Sequence, residues 1–190
     1  KHIEELIKAG VKSFKIEGRL KDINYVKNVT AFYRREIDKY AEKTSSGRIE
    51  LDFEPDVNKS FNRGFTDYFL EGRKNCFNFT SPKSTGEQLG KVTKTGKNYF
   101  EMADDFKLSP QDGICWFENG EMKGCLVNRT EGVKIFLNVH TLPQKGTLIY
   151  RNQDTAFDKQ LKNSKTKRRI RVDFEFEHNT LTAKDEDGNK

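Results

Sequence analysis

The stretch "SFKIEGRLKD", residues 13–22 of this 190-residue chain, places charged side chains where they could do chemistry. Two apolar residues alternate with polar ones, as on a strand, and Glu17, Arg19 and Lys21 follow in one short turn. A carboxylate and a guanidinium beyond the end of a parallel strand face the active-site side of an α/β barrel, where they could bind an anion or position an acid–base group. The alternative is an ion pair that ties the loop to the next helix, with Asp22 as its cap. Spacing alone leaves both interpretations open.

A second charged cluster, "KNSKTKRRIR", lies near the C-terminus, in a chain whose net charge is +6. Such a run can neutralise several phosphates, which gives salt-dependent affinity for nucleic acid without sequence preference. The alternative is a solvated linker that its own charges keep extended. The candidate RNA-binding residues are Lys165, Lys167, Arg168, Arg169 and Arg171, and Lys162 opens the run.

The remaining chemistry-bearing residues indicate no complete active site. The histidines lie far apart, at His2, His140 and His178, and no HExxH, GxSxG or Cys–His pattern is present. The three cysteines, Cys76, Cys115 and Cys125, have no CxxC spacing. We therefore expect no metal site, no disulfide framework and a reducing, cytoplasmic setting. No apolar run is long enough to span a bilayer, so we expect no membrane partner.

The first residues of the chain have the apolar spacing of a helix. Ile3, Leu6 and Ile7 form one apolar face, and Gly10 stands where a helix ends. A short strand is predicted in "VKSFKIEG", and a second helix from Asp22 to about Lys43. Helix, strand and helix make an incomplete βα repeat, so the chain is interpreted as a fragment of a larger protein.

From Gln88 the apolar residues alternate. Six short strands separated by turn signals such as Asn119-Gly120 predict a small closed antiparallel barrel. The aromatic residues of these strands are Tyr99, Phe100, Trp116 and Phe117. They could stack on bases, but aromatic side chains on the strands of a small barrel more often belong to its core. A short helix in "QDTAFDKQL" and a terminal hairpin should follow.

Three stretches then carry a resemblance to a known family. "GVKSFKIEGRLKDINYVKNVTAFYRREIDKY", "FNRGFT" and "SPKSTGEQLGKV" resemble, in this order, the C-terminal part of the collagenase-like peptidase U-32 family. The six-strand segment is similar to the barrel of that family and, more loosely, to domain two of translation elongation factors. The last residues, "RIRVDFEFEHNTLTAKDEDGN", resemble the opening of a further domain in longer members.

The resemblance implies an α+β fold with four parts. Residues 1–43 would be the last βα unit of an upstream TIM-like catalytic barrel, and residues 44–86 a connecting segment. Residues 87–161 would be the small β-barrel, and residues 162–190 a basic linker with the start of a further domain. Glu17 and Arg19 match the "IEGR" positions of the family, which favours a place at the rim of an incomplete catalytic site.

The resemblance also implies two conflicting chemistries. The family is named for collagenase-like proteolysis, yet members are associated with hydroxylation of pyrimidines in transfer or ribosomal RNA, with iron–sulfur chemistry in the full-length protein. The cysteine signature of the family is absent here, so no cofactor is expected in this chain. The hypotheses are an RNA-facing accessory part of a hydroxylase, the same part of a peptidase with a peptide substrate, and a structural module. In each case the chain alone should be inactive.

Overall fold

A computed structural model describes residues 1–79 and 81–190 of the chain as mixed helix and strand. The elements in chain order are α1 (Ile3–Lys8), α2 (Ile23–Asp38), β1 (Arg48–Glu50), a 3-10 turn (Val57–Lys59), β2 (Glu87–Thr95), β3 (Tyr99–Met102), β4 (Gly113–Glu118), β5 (Glu121–Glu131), β6 (Lys134–Leu137), β7 (Leu148–Gln153), α3 (Thr155–Asn163), β8 (Lys167–Arg169), β9 (Val172–Glu177) and β10 (Thr180–Asp185). None of the helices in these two ranges has the length and apolar content needed to cross a membrane.

Local chemistry sets two boundaries of the N-terminal helices. The α1 helix ends before Gly10, whose φ of 91° suits a residue without Cβ. Asp22 caps α2 by accepting a hydrogen bond from the Tyr25 backbone N–H at 2.8 Å. The predicted extension of α2 to Lys43 is wrong, because the helix ends at Asp38. Tyr40 beyond it is exposed, so a further turn would bury no apolar surface.

The predicted strand in "VKSFKIEG" is also wrong, since residues 11–18 belong to no strand. A strand exists through hydrogen bonds to a neighbouring strand, and within the described ranges no strand is paired with this stretch. The Val11 backbone N–H bonds instead to the carbonyl of Leu6. An upstream α/β barrel is therefore absent from what the structure shows and stays a proposal.

The predicted six-stranded barrel is confirmed. Its strands close in the order β2-β3-β6-β5-β4-β7, and all neighbours are antiparallel. Alternate residues point inward, so Phe100 and Trp116 are core residues, with Trp116 only 3% exposed. The other buried members of this core are Leu89, Val92, Met102, Leu108, Ile114, Val127, Ile135, Leu137, Leu142 and Ile149.

Helix α3 joins the barrel to the N-terminal helices. It follows β7 directly and packs on α2. Two α2 side chains hold backbone carbonyls of α3: the Asn24 amide donates to Asp158 at 3.2 Å, and the Lys27 ammonium to Leu161 at 2.7 Å. A second small core lies at this contact and consists of Ala31, Phe53, Phe157 and Leu161, with Leu51 packed against it.

One amide side chain fastens the connecting segment to α2. Asn28 is 0% exposed, and its Oδ1 accepts from the Asp56 backbone N–H at 2.9 Å. Its Nδ2 donates to the Asp56 carbonyl and to the Ser60 hydroxyl, both at 2.6 Å. The segment before the barrel is thus held to α2 by satisfied buried hydrogen bonds in addition to the contacts of Phe53.

A buried charge network lies where β7, α3 and the 3-10 turn meet. The Arg151 guanidinium, 8% exposed, donates from Nε to Glu87 at 3.0 Å and lies 3.3 Å from the Asp154 carboxylate and 3.7 Å from that of Asp112. The Lys59 ammonium donates to Asp154 at 2.9 Å. Burial acts to raise the pKa of Asp154, but the backbone hydrogen bond that caps α3, Lys59 and Arg151 outweigh it, so the pKa lies below its ordinary value.

Removing the central cation should leave the buried carboxylates without compensation. We expect Arg151→Met to lower the free energy of unfolding by about 3–5 kcal/mol, because breaking one side of a buried ion pair strands the other charge. Glu87→Gln, at a half-exposed carboxylate that can still accept a hydrogen bond, should cost about 1 kcal/mol or less. Urea unfolding followed by Trp116 fluorescence measures both. Equal losses for the two variants would contradict a central role for Arg151.

Candidate functional site

Within the charged turn, Glu17, Arg19 and Lys21 form no ion pair with one another. The Glu17 carboxylate, largely exposed, lies 2.8 Å from the Lys15 ammonium. Arg19 is exposed and forms no ion pair with any described residue. The Lys21 ammonium lies 3.2 Å from the centre of the Phe61 ring. The turn therefore presents to solvent a carboxylate paired with Lys15 and a guanidinium that forms no ion pair with any described residue.

Glu17 lies on the wall of a broad cleft between the two N-terminal helices and the segment 63–78. The cleft has a volume of about 1030 Å³. Its walls are largely apolar, through Phe14, Ile16, Phe32, Tyr33, Phe65, Leu70 and Phe77. A concave apolar wall with a few polar groups is typical of a ligand or partner site. Arg19 is not among the residues that line it.

One corner of the cleft brings together three groups that can ligate metal. Ligand atoms of His2, Asp67 and Glu71 lie within 4.8 Å of one another. Two ammonium groups already hold these carboxylates, with Lys1 at 2.5 Å from Glu71 and Lys74 at 2.5 Å from Asp67. The hydrogen bond from Lys74 lowers the pKa of Asp67, and that from Lys1 lowers the pKa of Glu71. We interpret the corner as a charge-compensated ion-pair cluster. No sequence pattern predicted this cluster, since the histidine and the first acid are 65 positions apart.

The cysteines do not fit an iron–sulfur cluster in this part of the protein. Cys76 lies beside the cleft, whereas Cys115 and Cys125 lie in the barrel. Burial raises the pKa of both barrel thiols to about 11. Among the described residues, the three cysteines do not come close enough together to hold one metal ion. No step of the chemistry is therefore assigned to the cysteines of this chain.

The centre of the basic run forms a strand. Strand β8 pairs with β1 in an antiparallel two-stranded sheet, in the register Arg48↔Arg169, Ile49↔Arg168 and Glu50↔Lys167. Directly opposite residues share a face. Arg48 and Arg169 therefore stand side by side, and Glu50 and Lys167 form the next pair on the same face. The sequence offered no signal for this pairing, because the two strands are about 120 residues apart.

Most cations of this small sheet have no acidic partner. We define the basic strip as Arg48, Lys165, Lys167, Arg168 and Arg169, which are exposed and form no ion pair with any described residue. The fifth predicted RNA-binding residue, Arg171, differs because its guanidinium lies 3.1 Å from the Asp173 carboxylate. Like charges directly opposite on a sheet are destabilising. An unneutralised arginine pair is thus a ready site for an anion.

Arg168 has a separate role within the strip. Its guanidinium donates to the Ser45 hydroxyl at 3.1 Å and to the Ser46 carbonyl. Gly47 makes room for it, because a Cβ there would lie 2.7 Å from Arg168 Nε and the φ of 90° already favours glycine. Arg168 therefore fastens β8 to the turn before β1, while the arginine pair and Lys167 occupy the other face.

One carboxylate positions the start of the strip. Asp52 accepts hydrogen bonds from the Ser164 hydroxyl at 2.6 Å, the Lys165 backbone N–H at 2.7 Å and the Thr166 hydroxyl at 2.9 Å. These bonds favour the charged form and lower the pKa of Asp52 to about 2. The chain is thereby fixed as it leaves α3 and enters β8.

The chain is similar to a family model and to proteins of two bacteria. The sequence model of "Peptidase family U32" matches residues 1–78. A 23S rRNA 5-hydroxycytidine synthase of Escherichia coli (strain K12) is 37% identical over 204 residues, which cover 96% of this chain and 31% of the relative. A tRNA hydroxylation protein P1 of Bacillus subtilis (strain 168) is 30% identical over 120 residues, which cover 56% of this chain and 28% of the relative. The chain thus spans about a third of the length of these relatives, and no solved structure matches it.

The depressed pKa of Asp52 predicts an acid-sensitive anchor. Because its folded pKa of about 2 lies below the ordinary 3.8, its contribution is complete above about pH 4 and is lost as the pH falls through about 2. The midpoint of thermal unfolding should therefore fall more between pH 4 and 2 in the wild type than in Asp52→Asn, which never carries the charge. Asp104→Asn, at an exposed aspartate, is the control and should follow the wild type. Identical pH profiles for wild type and Asp52→Asn would contradict the anchor.

Proposed function

We propose, from the match of residues 1–78 to the model of peptidase family U32, that this chain is the accessory, RNA-facing portion of a longer enzyme that hydroxylates pyrimidines in RNA. Two relatives support this class of activity by their names, which refer to 5-hydroxycytidine in 23S rRNA and to hydroxylation of tRNA. A cytoplasmic location, expected from the cysteines, is part of the proposal.

The basic strip is the observation that carries the RNA-facing role. Arg48 and Arg169 stand opposite each other, and the same face carries Lys167 with Glu50 opposite it, so three cations share this face with one acid. A phosphate backbone supplies closely spaced negative charges that would relieve this repulsion and release condensed counterions. The strip reads no base edges, so we expect it to position RNA without selecting its sequence.

The reacting groups belong, in this proposal, to an upstream TIM-like barrel. Residues 1–43 would be its last βα unit, residues 44–86 the connection, residues 87–161 the small barrel, and residues 162–190 the basic segment with the start of a further domain. The apolar cleft supports this arrangement, because it offers a wall on which more of the protein can pack. Glu17 and Arg19 would then lie at the rim of the catalytic mouth, and any iron–sulfur cluster would be held upstream.

The peptidase and purely structural alternatives have weaker support. The family description names peptidases, but a neutral collagen-like peptide would gain nothing from a strip of unpaired cations. A structural module would place acids opposite its arginines, as Asp173 stands beside Arg171. The proposal therefore depends on the uncompensated charge of the strip.

Removing two strip cations should weaken RNA binding and change its salt dependence. For Lys167→Ala/Arg169→Ala we expect affinity for a single-stranded oligonucleotide to fall roughly tenfold at low salt, and the slope of log affinity against log salt to decrease by about 1.4, at about 0.7 for each lost phosphate contact. Fluorescence anisotropy with labelled RNA over a salt series measures both quantities. Thermal stability should barely change, because exposed charges contribute little to folding.

Two control variants separate charge from fold. Lys12→Ala/Lys145→Ala removes the same charge at exposed sites outside the strip and should leave affinity nearly unchanged. Arg168→Ala should unfold earlier, since it loses its bonds to the Ser45–Ser46 turn. If Lys167→Ala/Arg169→Ala binds RNA as tightly as the wild type with the same salt slope, the proposed function is wrong.

A further inference from the structure

The terminal hairpin exposes an apolar face that no described residue covers. Strands β9 and β10 pair in the register Phe174↔Ala183 and Phe176↔Leu181, which puts these side chains on one face. Phe174 is 69% exposed, Phe176 67% and Leu181 63%. Exposing two phenylalanine side chains on one short strand to water is unfavourable, and exposed apolar patches commonly mark interaction sites.

The opposite face of the hairpin carries its charges. Glu175 lies 3.3 Å from Lys184, and Asp173 lies 3.1 Å from Arg171. Alternation along β9 thus sends every acid of the strand away from the phenylalanines. In the described hairpin, the carboxylate on the side of the phenylalanines is that of Asp185, which stands opposite Val172 at the end away from Phe176 and accepts a hydrogen bond from the Asn189 backbone N–H at 2.8 Å.

The hairpin is fastened to the basic strip. The Glu186 carboxylate, just after β10, accepts from the Gly47 backbone N–H at 2.7 Å and from the Arg171 backbone N–H at 2.9 Å. It also accepts from the Lys43 ammonium at 3.2 Å. These bonds lower the pKa of Glu186, so it remains charged at neutral pH. In the chain, two residues separate the end of β8 from the start of β9. The exposed rings therefore lie a few residues along the chain from the cations of the strip.

We propose that this hairpin face is a base-stacking platform for single-stranded RNA whose phosphates lie along the basic strip. The proposal rests on the proposed function and adds the residues that would hold the bases. Phe174 and Phe176 are alternate residues of one strand, about 6.8 Å apart, so each ring can take a separate base. Cations that follow a backbone, combined with aromatic side chains on which bases stack, are the usual means of binding single strands. Every base has a π-face, so sequence preference should be weak.

A protein partner is the less favoured occupant. A stable protein interface buries about 800 Å² on each partner, far more than a few side chains of a two-stranded hairpin can supply. The cations of the basic strip also form no ion pair with any described residue, although Glu50 stands opposite Lys167. Both observations favour a polyanion with flat apolar groups.

The test compares two double variants, with fluorescein-labelled oligouridine of about twelve nucleotides as the probe. Phe174→Ala/Phe176→Ala removes the rings, whereas Phe174→Leu/Phe176→Leu keeps an apolar surface but removes the π-faces. We expect each to weaken binding roughly 10- to 100-fold with an unchanged salt slope, because stacking contributes affinity without releasing counterions. Phe174→Tyr should bind nearly as the wild type. Trp116 fluorescence verifies that the barrel remains folded, since the hairpin contributes nothing to that core.

The outcomes separate this proposal from the function on which it rests. Wild-type affinity in either double variant, while Lys167→Ala/Arg169→Ala binds less tightly, overturns the platform and leaves the proposed function standing. Wild-type affinity in Phe174→Leu/Phe176→Leu alone shows an apolar contact and overturns stacking. If the alanine variant instead shifts a wild-type dimer to monomer by sedimentation without altering RNA affinity, the face is a protein interface and the platform is wrong. Absence of RNA binding by the wild-type chain overturns both proposals.

Discussion

The structure depends on one buried cation, the Arg151 guanidinium. Glu87 begins the first strand of the barrel, Asp112 precedes its third, and Asp154 caps the helix that leaves it, and all three carboxylates lie around Arg151. Buried charge is tolerated only when it is paired, so the position of this guanidinium fixes three backbone segments at once. Lys59 extends the network to the connecting segment. This charge network therefore connects the barrel with the segment that packs on the N-terminal helices.

The geometry of the basic strip follows from this charge network in steps. Helix α3 is held on α2 by Asn24 and Lys27, and its last turn delivers the chain to Asp52. Asp52 directs the following residues into a strand beside β1. Glu186 then fixes the hairpin against the same small sheet. Asp52 and Glu186 are carboxylates that accept backbone hydrogen bonds, so these two acids position the strip and form no ion pair with its cations.

The two candidate regions differ in what their charges have to meet. In the cleft, Asp67 and Glu71 are neutralised by neighbouring lysines, and the remaining wall is apolar, which suits packing against more protein. On the strip, the cations are exposed and exposed rings follow a few residues later in the chain, which suits the single-stranded polyanion that we propose. The cleft and the strip are thus different kinds of surface on one chain.

The sequence by itself determined the elements whose signals are local. Period-two alternation and turn residues predicted the six-stranded barrel with Trp116 inside, and Asp22 predicted the start of α2, because side-chain direction and capping depend on residues a few positions apart. Only the tertiary structure decided that Arg48 stands opposite Arg169 and that Asp52 anchors Lys165. Those partners are more than 100 residues apart in the chain. Register between remote segments is set by packing and by buried polar bonds, which no local pattern records, and the same dependence on a neighbour explains why residues 11–18 form no strand here.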